Sequence, residues 1–98
     1  ISGSGPGYIF NIIDAMEKAA IKLGFSKSVA KIIVSQTFKG SINLFLYKNI
    51  EAQDLVKSVA TKGGTTEAGI KIMNKYQIHN IFTKLAKASF KKAKDQGK

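Results

Sequence analysis

Ninety-eight residues without a cysteine leave room for one small folded domain and exclude disulfides, iron–sulfur ligation and zinc–thiolate sites. The formal net charge is +10 and 44% of the residues are hydrophobic, too many for a disordered chain. All 16 basic residues are lysine, which excludes the bidentate arginine contacts that read guanine edges but leaves non-specific neutralisation of phosphates open. No secretory signal and no apolar run of 18 residues stand out, so a soluble, cytoplasmic protein is expected. The opening Ile1-Ser2-Gly3 lacks an initiator methionine, which suggests a fragment or a processed product.

Helix signals recur along the chain and strand signals are weak. Pro6 suits a first helical turn with Ser4 or Gly5 as cap, because its missing N–H is not needed there. From Tyr8 to Leu23, apolar residues Ile9, Ile12, Ile13, Met16, Ala20 and Leu23 recur at spacings of three and four. Gly24 stands where a left-handed stop is expected. Ser26 is predicted to cap a second helix running to about Asn49. Its apolar residues, among them Val29, Ile32, Ile33, Phe38, Ile42 and Leu46, cover more than one stripe. A helix apolar on several sides must be buried on several sides, and a chain this short has few helices to do so. A partner subunit is therefore expected. Gly40, inside this helix, reads either as a close crossing or as a tolerated glycine.

A short helix from Glu51 to Ala60 leads into Thr61-Lys62-Gly63-Gly64-Thr65-Thr66. The next helix begins near Thr65 or Thr66 and runs to about Tyr76, with Ala68, Ile70, Ile72 and Met73 on apolar positions. Gln77 marks a turn. The last helix runs from about His79 to Gln96 and packs through Ile81, Phe82, Leu85, Ala86 or Ala88, and Phe90. Lys84, Lys87, Lys91, Lys92 and Lys94 are left in water near its C-terminus, where cations suit the helix dipole.

Two glycine-rich segments could carry chemistry. Gly3-Ser4-Gly5-Pro6-Gly7 is a poor dinucleotide loop, since only Ile1 and Ser2 precede it and proline removes one N–H. The second segment is better suited. Gly63 and Gly64 allow close backbone approach, Thr65 and Thr66 add hydroxyls at a helix start, and Lys62 adds charge. Unpaired N–H groups there would receive a carboxylate or phosphate. The same residues also read as a plain interhelical turn with a threonine cap. Catalytic constellations are missing: no cysteine nucleophile, one histidine (His79, expected to be solvated), and six scattered acids. Asp14 and Glu17 are expected to be surface partners of Lys18 and Lys22.

Both segments match one family. Ser2-Gly3-Ser4-Gly5-Pro6-Gly7-Tyr8 resembles the stretch that enters the helical domain of pyrroline-5-carboxylate reductases. Leu55-Val56, followed by Val59-Ala60-Thr61-Lys62-Gly63-Gly64-Thr65-Thr66-Glu67-Ala68-Gly69, resembles that family's signature. The resemblance covers essentially the whole chain and implies an all-α bundle of about five helices over residues 1–98. It would be interlocked as a dimer and similar to the C-terminal domain of 6-phosphogluconate dehydrogenase, with an N-terminal Rossmann domain absent from this chain. It further implies reduction of Δ1-pyrroline-5-carboxylate to L-proline with NADP or NAD as cofactor in the full enzyme. The fragment itself would bind no cofactor and be inactive alone, and its homodimers would be able to assemble into rings. By position, the Thr61 hydroxyl and the N–H groups of Gly63, Gly64, Thr65 and Thr66 would hold the substrate carboxylate. Thr66 would give a second hydroxyl and Ser4 would lie near the same pocket. No catalytic proton donor is assigned. The family commonly has proline where this chain has Lys62, whose charge is expected to attract substrate at long range. The alternative reading is a lysine-rich helical module that coats nucleic acid.

Overall fold

The first helix begins where proline's missing N–H costs nothing. In a computed structural model describing residues 3–97, α1 spans Gly5–Lys22 with Ser4 at the N-cap position and Pro6 in the first turn. It ends in a Schellman motif. The Phe25 N–H reaches back to the Ala20 carbonyl at 3.2 Å and the Gly24 N–H to that of Ile21 at 3.0 Å. Gly24 has φ +108°, a backbone conformation that a side chain would strain. Asp14 pairs with Lys18 one turn on, as the surface reading expected.

α2 spans Lys27–Lys48, and the Ser26 hydroxyl accepts from the Val29 N–H at 3.2 Å, a side-chain N-cap. Asn49 closes the helix in the left-handed region at φ 53°. α1 and α2 pack together. Ala30 and Val34, one turn apart, are the buried hydrophobic residues among those described. Much else on α2 faces outward: Ile32, Ile33, Ile42, Leu46 and Tyr47 are exposed, Tyr47 by 84%. At 100° per residue, Ile32, Ile33 and Ile42 point in directions roughly 80° or more apart. The helix is therefore apolar on several sides, as its sequence indicates. Fully burying one such side chain is worth about 1.5–3 kcal/mol, stabilisation that the helix pair by itself leaves unused. A Cβ placed on Gly40 would meet nothing within 4 Å, so no close crossing within the chain requires that glycine.

After Ile50 the chain divides into a second compact unit. It holds α3 (Ala52–Val59), α4 (Thr65–Lys75) and α5 (Ile78–Gln96), with α4 packed on α5. Gln77 turns the chain between them with φ 58°, and its carbonyl accepts from the Ile81 N–H at 2.9 Å. α5 consequently starts at Ile78, one residue before the expected His79. An apolar groove of about 690 Å³ runs between the three helices, lined in part by Val56, Ile70, Met73, His79, Phe82 and Ala86. Of the two alanines, Ala86 is the half-buried one. Phe90, expected to pack, is 74% exposed, because α5 at that point has run on past the end of the groove. The described residues form five helices and no strand, an all-α architecture as expected. No helix among them is long and apolar enough to cross a membrane.

Candidate functional site

The expected site residues fall into two groups. Thr61, Gly63, Gly64, Thr65 and Thr66 form one loop and helix start, between α3 and α4. Ser4 belongs to the α1–α2 unit. It is exposed, and its hydroxyl makes no capping bond.

The loop is built as a tight turn. α3 closes with the Ala60 N–H on the Val56 carbonyl at 2.9 Å, and the Gly64 N–H then donates to the Thr61 carbonyl at 2.9 Å. Gly63, third of the four turn residues, has φ +75°, while Lys62 is outside the positive-φ region. That combination is a type II turn, which calls for glycine at its third position and favours proline at its second. The second position is Lys62. Lysine is therefore tolerated at a turn position that generally favours proline.

Gly64 is crowded for a separate reason. A Cβ there would lie 2.5 Å from Thr61 Oγ1 and 3.1 Å from the Thr61 carbonyl oxygen. The Thr61 hydroxyl thus sits against the start of α4, where a side chain at position 64 would displace it. Gly64, with extended backbone at ψ 176°, is itself the N-cap residue, so the expected threonine cap is replaced by a glycine with no side chain to offer. Thr65 and Thr66 become the first two helical residues, and both are exposed.

First-turn N–H groups of a helix have no intrahelical acceptor. At α4 no capping side chain takes their place, and among the described residues the N–H groups of Thr65, Thr66 and Glu67 have no protein acceptor. The loop's other two amides are already engaged. Gly64 donates to Thr61, and Gly63 donates to Glu67 Oε1 at 3.0 Å. Of the four amides expected to hold an anion, those of Thr65 and Thr66 are thus open and those of Gly63 and Gly64 are tied into the turn. Open amides, the positive end of the helix dipole and the hydroxyls of Thr61 and Thr66 together suit a carboxylate or phosphate. Glu67 is the residue that the sequence reading missed. No capping-box pattern marks it, since the N-cap is Gly64 and the carboxylate binds the Gly63 N–H, one residue before that cap.

The first glycine segment has different geometry. Gly7 and Tyr8 donate their N–H groups to the Ser4 carbonyl at 3.0 and 3.3 Å, and Pro6 has none to offer. With the Gly7 and Tyr8 amides engaged in this way and none on Pro6, the segment offers few free donors to a phosphate. Among the described residues no group of three or more His, Cys, Asp or Glu could hold a metal.

Comparisons with known proteins point to one family. A family model described as pyrroline-5-carboxylate reductase dimerisation matches residues 1–96. Pyrroline-5-carboxylate reductase 2 of Bacillus subtilis (strain 168) is 42% identical over 73 residues, which make up 74% of this chain and 26% of that protein. A solved pyrroline-5-carboxylate reductase from Coxiella burnetii superposes with a TM-score of 0.93 at 36% identity, over 97% of this chain and 35% of that one. The Plasmodium falciparum pyrroline carboxylate reductase, solved with NADP bound, gives 0.96 at 30% identity, over 100% of this chain and 37% of that one. The chain therefore spans between 26% and 37% of the relatives it matches here. With 96 of its residues covered by that model, the chain belongs to the pyrroline-5-carboxylate reductase dimerisation family.

Proposed function

We propose that residues 1–98 are the substrate-carboxylate and dimerisation domain of a cytoplasmic enzyme that reduces Δ1-pyrroline-5-carboxylate to L-proline. The observation that carries this is the open start of α4, where Thr65 and Thr66 present unpaired amides beside the Thr61 hydroxyl. The substrate is a small ring bearing one carboxylate. Binding that carboxylate at the helix start fixes one end of the ring and leaves the imine to face outward. Holding a reactant in one orientation can lower a barrier by several kcal/mol. Lys62, exposed beside the loop, adds long-range attraction for the anion.

The nicotinamide cofactor, NADP or NAD, supplies the hydride when bound. Its binding is assigned to the part of the relatives that this chain does not span. The role of this chain's own residues is to bind and orient the substrate. The broadly apolar α2 supports a homodimer in which a second copy covers the outward faces of Ile32, Ile42 and Leu46, and such dimers can assemble further into rings.

Competition between L-proline and L-prolinamide against pyrroline-5-carboxylate, in the intact enzyme, tests the carboxylate site. L-Proline is expected to compete, and prolinamide to compete at least about tenfold more weakly, the size of one lost charge-assisted hydrogen bond. Equal inhibition by the two would contradict the reading.

A further inference from the structure

Glu67 is the third residue of α4, and its side chain turns back over the helix start rather than out into water. Oε1 accepts from the Gly63 N–H at 3.0 Å, and the side chain is 35% exposed against 77% for Lys71, whose ammonium lies 3.9 Å away. The bond spans the one place where the loop is intrinsically loose. Two adjacent glycines have the greatest backbone freedom of any pair, and a loop free to sample many conformations must lose that freedom when it binds. The Gly64 N–H is held by the Thr61 carbonyl, and the Gly63 N–H is held by Glu67. With both ends of the glycine pair fixed, the next two amides, of Thr65 and Thr66, stay open and fixed in direction.

We infer that Glu67 is a positioning residue for the carboxylate site: its carboxylate oxygen pins Gly63 and so keeps the Thr65–Thr66 amides ready for the substrate anion. The inference rests on the reading of this loop as the carboxylate site. Charge and geometry oppose each other in this arrangement. A second negative group near a bound carboxylate repels it, and the exposed Lys71 offsets that only weakly. What Glu67 contributes to binding is the acceptor, not the charge.

Three variants of the intact enzyme separate these effects: Glu67→Ala, Glu67→Gln and Thr66→Ala. Loss of the acceptor in Glu67→Ala is expected to raise the KM for pyrroline-5-carboxylate about five- to tenfold, the cost of ordering a loop on binding. Its kcat at saturation and its cofactor KM should both stay within about twofold of the parent. Glutamine keeps an oxygen that accepts from Gly63 and removes the repulsion, so the substrate KM of Glu67→Gln should equal the parent's or fall below it. A merely structural role would lower the melting temperature without this split between the two variants and between the two Michaelis constants. A Glu67→Ala enzyme with the parent's substrate KM overturns the inference, as does a Glu67→Gln enzyme as weak as Glu67→Ala. Should Glu67→Ala fail to fold, Glu67→Leu, which also lacks the acceptor, takes its place: a raised substrate KM upholds the role of the acceptor, and the parent's KM overturns it. Thr66→Ala tells the two levels apart. If it raises the substrate KM while Glu67→Ala does not, the role of Glu67 alone is wrong. If neither changes it, the carboxylate site itself is wrong and the inference goes with it.

Discussion

The starts of α2 and α4 solve the same problem in opposite ways. α2 has Ser26 at its N-cap, whose hydroxyl accepts the Val29 N–H at 3.2 Å, so part of the helix end is satisfied from within. α4 has Gly64 at the same position, with no side chain to fold over its amides, while Glu67 ties back to Gly63 outside the helix. The first arrangement stabilises a helix. The second gives up that stabilisation, on the order of a few tenths to 1 kcal/mol, and leaves donors for something else to fill. α1, α3 and α5 also lack a side-chain cap, so what sets the start of α4 apart is the glycine pair before it and the Thr61 hydroxyl beside it.

Exchanging features between the two starts should therefore change different properties. The largest effect is expected at Gly64. Gly64→Ala places a Cβ 2.5 Å from Thr61 Oγ1 and 3.1 Å from the Thr61 carbonyl oxygen, so hydroxyl, turn and helix start cannot all stay in place. A displacement near 1 Å can cost roughly 100-fold in rate. A loss of that order in kcat/KM is expected from steady-state kinetics of the intact enzyme, with retained helical circular dichroism. A smaller effect of another kind is expected at α2. Ser26→Ala removes the cap and should cost about 1 kcal/mol of stability, read by thermal denaturation, while the substrate KM is unchanged. A Ser26→Ala enzyme that loses substrate affinity but no stability would show the contrast between the two helix starts to be misdrawn.

Much of this was legible in the residues. Gly24, Ser26 and Pro6 punctuate helices through local chemistry: a left-handed stop, a hydroxyl acceptor and a dispensable N–H. Each of these acts within four or five residues, so sequence alone locates it. The breadth of apolar residues on α2 was equally plain, and their exposure follows from it. The turn at Gln77 and the helix start beside it were legible as well, although Gln77 takes a left-handed conformation usually left to glycine or asparagine. At the loop, residue types pointed to an anion site but could not say which amides were open. That depends on two hydrogen bonds, Gly64 to Thr61 and Gly63 to Glu67, which exist only once the turn has closed. The type II turn also gives a reason why lysine and proline can both occupy position 62, which the motif alone did not supply. The net charge of +10, the most conspicuous feature of the composition, pointed toward nucleic acid, whereas the family follows from the two glycine segments and the helix pattern.

The central claim is that the open end of α4 holds the substrate carboxylate, and a crystal structure of the intact enzyme with L-proline tests it most directly. The proline carboxylate is expected within about 3 Å of the Thr65 and Thr66 amide nitrogens, with the Gly63 N–H still on Glu67. A carboxylate bound elsewhere, with those two amides facing only water, would contradict the claim.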